Sequence, residues 1–413
     1  MRGPVANAGL AAISLMGAFT VAPRLAHADI TFYDKDGWSV WTNGRAATHL
    51  QLITGDGSPT TGNMLTGWNN TAATNEDNKI LRSRIGSGWV GSQIGFGVAN
   101  QLSETTKLKA YFAVSIDDIT NNKDKTAGKG VDYREAFASA EMSWGSITFG
   151  RALSVFGTGL AGTIYMYSYG NGAGHPCPNL DGIAITCGPV NAGGIFPGFN
   201  AQITYSTPAN LGGFGAKISL VDPSLLPGYT LRPTPRLEGE LTYDIGLGGT
   251  NKISIIGQGL VQSMGRVVAG ATETATAAGG IGALRLEFAG FRLGLGGWGG
   301  NGLGTGVPLQ GDQAVDPTGK LRSFVGVMAH GNYMIGNWEF GAGFGQSKVA
   351  ETDDDKAAAM RSLIESNTAI HGVVYRHVGP LVLGAEVMRW TSKWHRGEEQ
   401  TVMFSGLSAN LLW

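Results

Sequence analysis

The sequence predicts an all-β protein, a sixteen-stranded antiparallel transmembrane β-barrel. Three observations lead there. Apolar and polar residues alternate with period two through most of the 413-residue chain, the pattern of a sheet with one apolar and one polar face. Tight turns and long connections take turns along the chain. Past position 28, no apolar run approaches the roughly 18 residues that a membrane-spanning helix needs.

Composition removes other classes. Glycine contributes 66 residues and proline only 15, so a collagen-like repeat is excluded. Apolar residues make up 42% of the chain, too many for a disordered one. Charged residues reach 15%, well below the roughly 25% of an ordinary soluble domain.

Residues 1–28 read as a secretory leader. Arg2 supplies the positive start, an apolar stretch follows over residues 6–22, and Ala26-His27-Ala28 is a small-x-small cleavage site. The competing reading is an ordinary first helix. Cleavage after Ala28 leaves one domain, residues 29–413. It removes Arg2 and Arg24 but no acid, so 28 basic side chains face 31 acidic ones. That balance, with no basic block, points to no nucleic-acid partner.

Each strand follows from its alternation. Gly37–Ile53 sets Asn43, Arg45, His49 and Gln51 against Val40, Ala46, Leu50 and Leu52. Ile80–Asn100 switches parity. Leu81, Ile85 and Trp89 share one parity and Val90, Ile94, Phe96 and Val98 the other, so a bulge near Gly88 or Gly91 is expected. Arg82 and Arg84 then lie on the polar face. Further along, Leu108, Ala110, Phe112 and Val114 oppose Lys107, Lys109, Tyr111 and Ser115. Leu237, Leu241, Tyr243 and Ile245 oppose Arg236, Glu238, Glu240 and Asp244.

Seven tight turns are expected, at Gln101–Thr105, Gly145, Ala209–Gly213, Gly246–Thr250, Ala289–Gly290, Ile335–Asn337 and His377–Pro380. Eight long connections are expected at Gly55–Asn78, Asp117–Val131, Ala152–Phe199, Asp222–Pro235, Met264–Ala278, Asn301–Lys320, Val349–Ser366 and Ser392–Glu399. Fifteen connections join sixteen strands. Short turns at one end and long loops at the other describe a barrel of the bacterial outer membrane. In lipid every backbone group must be paired, so the sheet closes. The apolar face meets lipid, and a lumen of this size holds water. Trp38, Trp144, Trp298 and Trp338 lie near strand ends and suit interfacial girdles.

Cys177 and Cys187 are the only cysteines, with nine residues between them. In an exported chain they most simply form a disulfide worth about 3 kcal/mol. A zinc site would need ligands beyond the nearby His175. Enzyme chemistry finds no foothold: Gly-x-Ser-x-Gly, His-Glu-x-x-His and the phosphate-binding Gly-Lys-Ser/Thr loop are all absent.

Two stretches carry a family resemblance. Residues 403–413, Met-Phe-Ser-Gly-Leu-Ser-Ala-Asn-Leu-Leu-Trp, alternate into a terminal aromatic and resemble an outer-membrane assembly signal. Ile147-Thr148-Phe149-Gly150-Arg151 precedes a very long third loop, and Tyr205-Ser206-Thr207-Pro208 with Gly213-Phe214 follows it. Together these resemble the sixteen-stranded Gram-negative porins. The resemblance implies a homotrimer in outer-membrane lipid, engagement of the assembly machinery through the last strand, and passage of small hydrophilic solutes and ions. It also implies that loop three, between strands 5 and 6, folds inward and faces a basic ladder across the pore. The leading function is passive diffusion. A substrate-selective channel for sugars or small anions is the alternative, and a barrel enzyme a more distant one.

Arg45, Arg82 and Arg84 match the ladder; the other reading is that each simply solvates a wide lumen. Loop three carries one acid, Asp181, in place of an acidic cluster. With no acidic partners there, the arginines would favour anions, although lumen-parity acids such as Glu135, Glu141, Glu238, Glu240 and Glu339 dilute that expectation. Tyr165, Tyr167 and Tyr169 either form a stacking track for sugars or pack the loop on the wall. No cofactor is expected. Asp353-Asp354-Asp355, ahead of a helical segment at Lys356–Ser366, is either a structural calcium site at the loop rim or a solvated charge run.

Overall fold

The computed structural model describes residues 29–56, 79–86, 92–116, 131–160, 188–209, 211–231, 233–268, 271–309 and 312–413. Among the described residues, nineteen strands form one sheet. They are β1 (Ile30–Lys35), β2 (Trp38–Asp56), β3 (Lys79–Gly86), β4 (Ser92–Ser103), β5 (Thr106–Ile116), β6 (Val131–Met142), β7 (Gly145–Leu153), β8 (Phe199–Ser206), β9 (Phe214–Val221) and β10 (Tyr229–Leu231). There follow β11 (Arg236–Gly246), β12 (Lys252–Val268), β13 (Ala271–Phe288), β14 (Phe291–Asn301), β15 (Ser323–Ile335), β16 (Trp338–Val349), β17 (Ile364–Val378), β18 (Leu381–Trp394) and β19 (Glu399–Leu412). All pair antiparallel, and β19 pairs with β2 to close the wall. β3 and β4 both pair with β2 and together make one stave. β10 and β11 both pair with β12 and make another. With β1 a short addition to β2, the barrel has sixteen staves.

The parity switch is present. Between the pairs His49–Gly86 and Arg45–Gln93, the β3–β4 chain advances seven residues while β2 advances four. An odd excess turns the side chains over, so Leu81, Ile85 and Phe96 all lie exposed on the outer face.

All seven tight turns fall where the alternation breaks. Two expected long connections do not. At 264–278 strand pairing continues, Met264 with Ala275 and Val268 with Ala271, so β12 and β13 form a tall hairpin. The residues there are mostly Thr, Ala and Val, and β-branched side chains suit a strand. At 392–399, β18 runs on to Trp394 and only residues 395–398 connect it to β19. The helix expected at 356–366 is one turn, α1 (Asp353–Ala357). Thr352 and Asp355 close a capping box at its start, Ala359 adopts φ +48° just beyond it, and β17 begins at Ile364.

The outer face is the apolar one. Leu241 is 59% exposed while Glu240 beside it is 7% exposed. The inner face is less uniformly polar than alternation suggests. Ile53, Met388, Trp390, Val402 and Phe404 cluster inward with Ala192. Leu260, Met264, Ile281, Trp298, Phe324 and Met328 pack inward with Phe156, Leu160 and Ile195. These clusters form where connecting segments fold into the barrel and remove the wall from water.

The first described residues and the last residue meet on β2. Trp413 and Gly44 exchange backbone hydrogen bonds at 2.7 and 3.0 Å. Asp29 accepts from the neighbouring Asn43 side chain at 3.0 Å, and Ile30 pairs with Thr42. β1 therefore continues the line in which β19 stops.

Candidate functional site

The connection from β7 to β8 is described over residues 154–160 and 188–198. Both limbs lie inside the wall. On the first, the Phe156 amide donates to Glu238 at 2.9 Å, the Gly157 amide donates to Gln258 at 3.0 Å, and the Thr158 hydroxyl donates to Glu240 at 3.2 Å. On the second, the Gly193 amide donates to the Ser347 hydroxyl at 2.8 Å, and the Trp298 indole donates to the Gly193 carbonyl at 2.9 Å. The Ser154 amide donates to the Gly198 carbonyl where the limbs meet. The limbs therefore rest chiefly on the inner face of β11–β16, and at Ala192 the second also meets the apolar cluster on β2, β18 and β19.

Glycine makes that contact. A Cβ on Gly345 would collide with the Ala192 carbonyl oxygen, and one on Gly296 with Leu160. Trp298 is a correction to the sequence reading. It is 5% exposed and points inward to pin the second limb. Trp38, Trp144 and Trp338 lie exposed on the outer face.

Three of the wall acids, Glu238, Glu240 and Glu339, are engaged in ion pairs. Glu238 pairs with Arg236 at 2.9 Å and Glu240 with Lys217 at 2.8 Å. Glu339 takes Arg292 at 3.0 Å and His377 at 3.1 Å and accepts from Asn332. Their charge is therefore spent on holding the wall and the first limb, a role no single strand's alternation reveals.

On the opposite wall, Arg45 faces inward and donates to Gln93 at 3.2 Å. Near it lies a group the sequence reading did not single out. Lys109 sits 5.6 Å from the Trp41 ring and 6.0 Å from the Tyr111 ring, and Tyr111 donates to Asn43 at 2.8 Å. Its trace in the sequence was a lysine of inward parity between apolar neighbours. The register pairs Arg82 with Ile53 and Arg84 with Gln51, both buried on the inner side. The side chains of Arg82 and Arg84 lie outside the described residues. So do Tyr165, Tyr167, Tyr169, Asp181, Cys177, Cys187 and the leader.

At the loop end, Asp355 is held by Arg322 through two hydrogen bonds, 2.8 and 2.6 Å long, with both side chains buried. Asp354 meets Lys320 at 2.7 Å and Asp353 meets Lys356 at 3.2 Å. Among the described residues, no three or more His, Cys, Asp or Glu side chains are grouped to hold a metal ion.

A closed, lipid-facing sixteen-stave barrel with a segment folded along its inner wall defines a class: the outer-membrane channels. A family model described as Gram-negative porin matches residues 10–406, and the chain belongs to that family. The outer-membrane channel DcaP of Acinetobacter baumannii superposes with TM-score 0.67 at 16% identity, covering 93% of this chain and all of that one. The anion-selective porin from Comamonas acidovorans gives 0.60 at 16%, covering 91% and 100%. OmpF of Salmonella typhi, in complex with daunomycin, gives 0.54 at 11%, covering 92% and 100%. No curated protein sequence matches significantly. The protein is a porin channel of the Gram-negative outer membrane, not an enzyme.

Proposed function

We propose that the protein is a passive, anion-preferring diffusion channel for small hydrophilic solutes, with the β7–β8 connection as its constriction. The observation that carries this reading is the division of the inner wall. The limbs of that connection lie chiefly on β11–β16, where Glu238, Glu240 and Glu339 are paired with Arg236, Lys217 and Arg292. The facing staves carry Arg45, Lys109 and, by register, positions 82 and 84. Fixed cations across from neutralised acids favour anions. A porin of this fold from Comamonas acidovorans is anion-selective. Solute uptake into proteoliposomes tests the reading: swelling rates rise linearly with solute concentration and fall with solute size. Saturation at low concentration of one sugar or small anion would assign a substrate-selective channel instead.

The Gly345–Ala192 contact yields a separate expectation. Gly345→Val displaces the second limb and changes single-channel conductance. Gly372→Ala, whose Cβ meets nothing nearer than 3.8 Å, leaves it unchanged.

Export and assembly belong to the same proposal. Residue 28, if β1 were extended, would fall opposite Gly44, the place Trp413 occupies. Cleavage after Ala28 removes that conflict, and the intact mass of the mature protein corresponds to residues 29–413. A mass for all 413 residues would contradict it. OmpT of Vibrio cholerae, 12% identical, is known in a trimer form, and the same assembly is proposed here.

A further inference from the structure

We propose that the outer face of β14–β18 holds one phospholipid of the inner leaflet, its acyl chain in a groove and its phosphate on Arg376. The groove has a volume of about 770 Å³ and lies on the lipid-facing side of the wall. Its floor is made of small residues, Gly331, Ala342 and Gly372, which the register sets side by side across β15, β16 and β17. Phe291, Tyr333 and Phe340 rise beside them as an exposed aromatic rim. A depression of this kind in the hydrocarbon band matches a flexible alkyl chain better than a flat wall does.

The groove has a direction. On β17 the outward residues run Gly372, Val374, Arg376, and two residues span about 6.6 Å of strand. Arg376 therefore lies one step beyond the apolar groove, toward the tight turns that join β15 to β16 and β17 to β18. Its guanidinium is 5.1 Å from the Trp338 ring centre, and Trp338 stacks on Phe340 at 6.4 Å. An arginine held on a tryptophan at the end of a lipid-facing apolar groove marks the polar boundary of the membrane. The short-turn end of such a barrel faces the periplasm, so the leaflet is the inner one. A single cation at that depth complements one headgroup phosphate.

A photo-crosslinking amino acid, benzoylphenylalanine, replacing Val387 on the groove wall reads the occupant directly. The full-length barrel is reconstituted in vesicles of phosphatidylethanolamine and phosphatidylglycerol, irradiated, and weighed by mass spectrometry. The expected product is one barrel plus one phospholipid. Arg376→Gln lowers its yield about fivefold, the worth of one interfacial cation on a headgroup. Gly372→Leu, combined with the crosslinker at position 387, fills the floor and removes the adduct; the nearest atoms to its Cβ are 3.8 and 3.9 Å away, so the wall accommodates it. Heat-modifiable migration on a gel confirms that each variant is folded. A crosslink to a second copy of the chain would overturn the proposal, as would adduct yields that neither substitution alters.

Discussion

Replacing Arg82 and Arg84 together with serine is expected to shift the reversal potential toward cation preference, lowering the anion-to-cation permeability ratio about tenfold. An ion passing about 7 Å from a guanidinium in water feels roughly 0.6 kcal/mol. Screening near 0.1 M salt roughly halves that figure. The charge favours anions and disfavours cations, so each arginine is worth about a factor of three in the ratio. The register sets both positions opposite inward-facing residues of β2, on the stave beside Arg45. Arg389→Ser is the control. Arg389 is exposed on the outer face, paired with Ile370 and Met403, and its loss leaves the reversal potential unchanged. An unchanged potential in the Arg82/Arg84 double variant would take both residues out of the pore.

Arg322→Met is expected to open the loop end of the barrel. Arg322 joins the connection after β14 to the one after β16. Its guanidinium grips both oxygens of Asp355 and also donates to the carbonyls of Gln313 and Val315. Breaking one side of a buried pair costs about 3–5 kcal/mol, because the remaining charge stays unpaired. Limited proteolysis in segments 302–321 and 350–363 reads the opening, with cleavage in the variant at protease levels the parent resists. Resistance equal to that of the parent would contradict a clasp role.

The same clasp gives a pH dependence. Burial pushes the Asp355 carboxyl up, but the Arg322 hydrogen bonds and the Thr352 amide outweigh it, and the group titrates below its ordinary value. Asp354 also lies low, chiefly through its hydrogen bond from Lys320. A carboxyl with a depressed folded pKa adds stability that is fully present above its unfolded value, near 4, and lost as pH falls through the folded one. Protease resistance of the loops is therefore flat from neutral pH to about 5 and falls below about 4.

Much of the wall was legible because a strand in lipid has only two environments. Leu241 and Glu240 differ in exposure as their alternation requires, and each tight turn sits where the alternation breaks. The interior was less legible because alternation states which face a residue takes, not what covers it. Gly345 reads like any strand glycine until Ala192 is seen against it. Trp298 reads like a girdle tryptophan, yet an inward backbone carbonyl claims its indole. Glu238 reads as a lumen acid, and its meaning depends on an amide 82 residues earlier in the chain. The hairpin of β12 and β13 was hidden by its weakly apolar Thr-Ala composition, which resembles a loop when no apolar face is required beyond the membrane.

Single-channel recording of the purified protein in a planar bilayer under a salt gradient tests the open, positively lined channel most directly. Ohmic steps with a reversal potential on the anion side are expected. Cation preference would contradict the basic wall, and silence from correctly inserted protein would contradict the open channel itself.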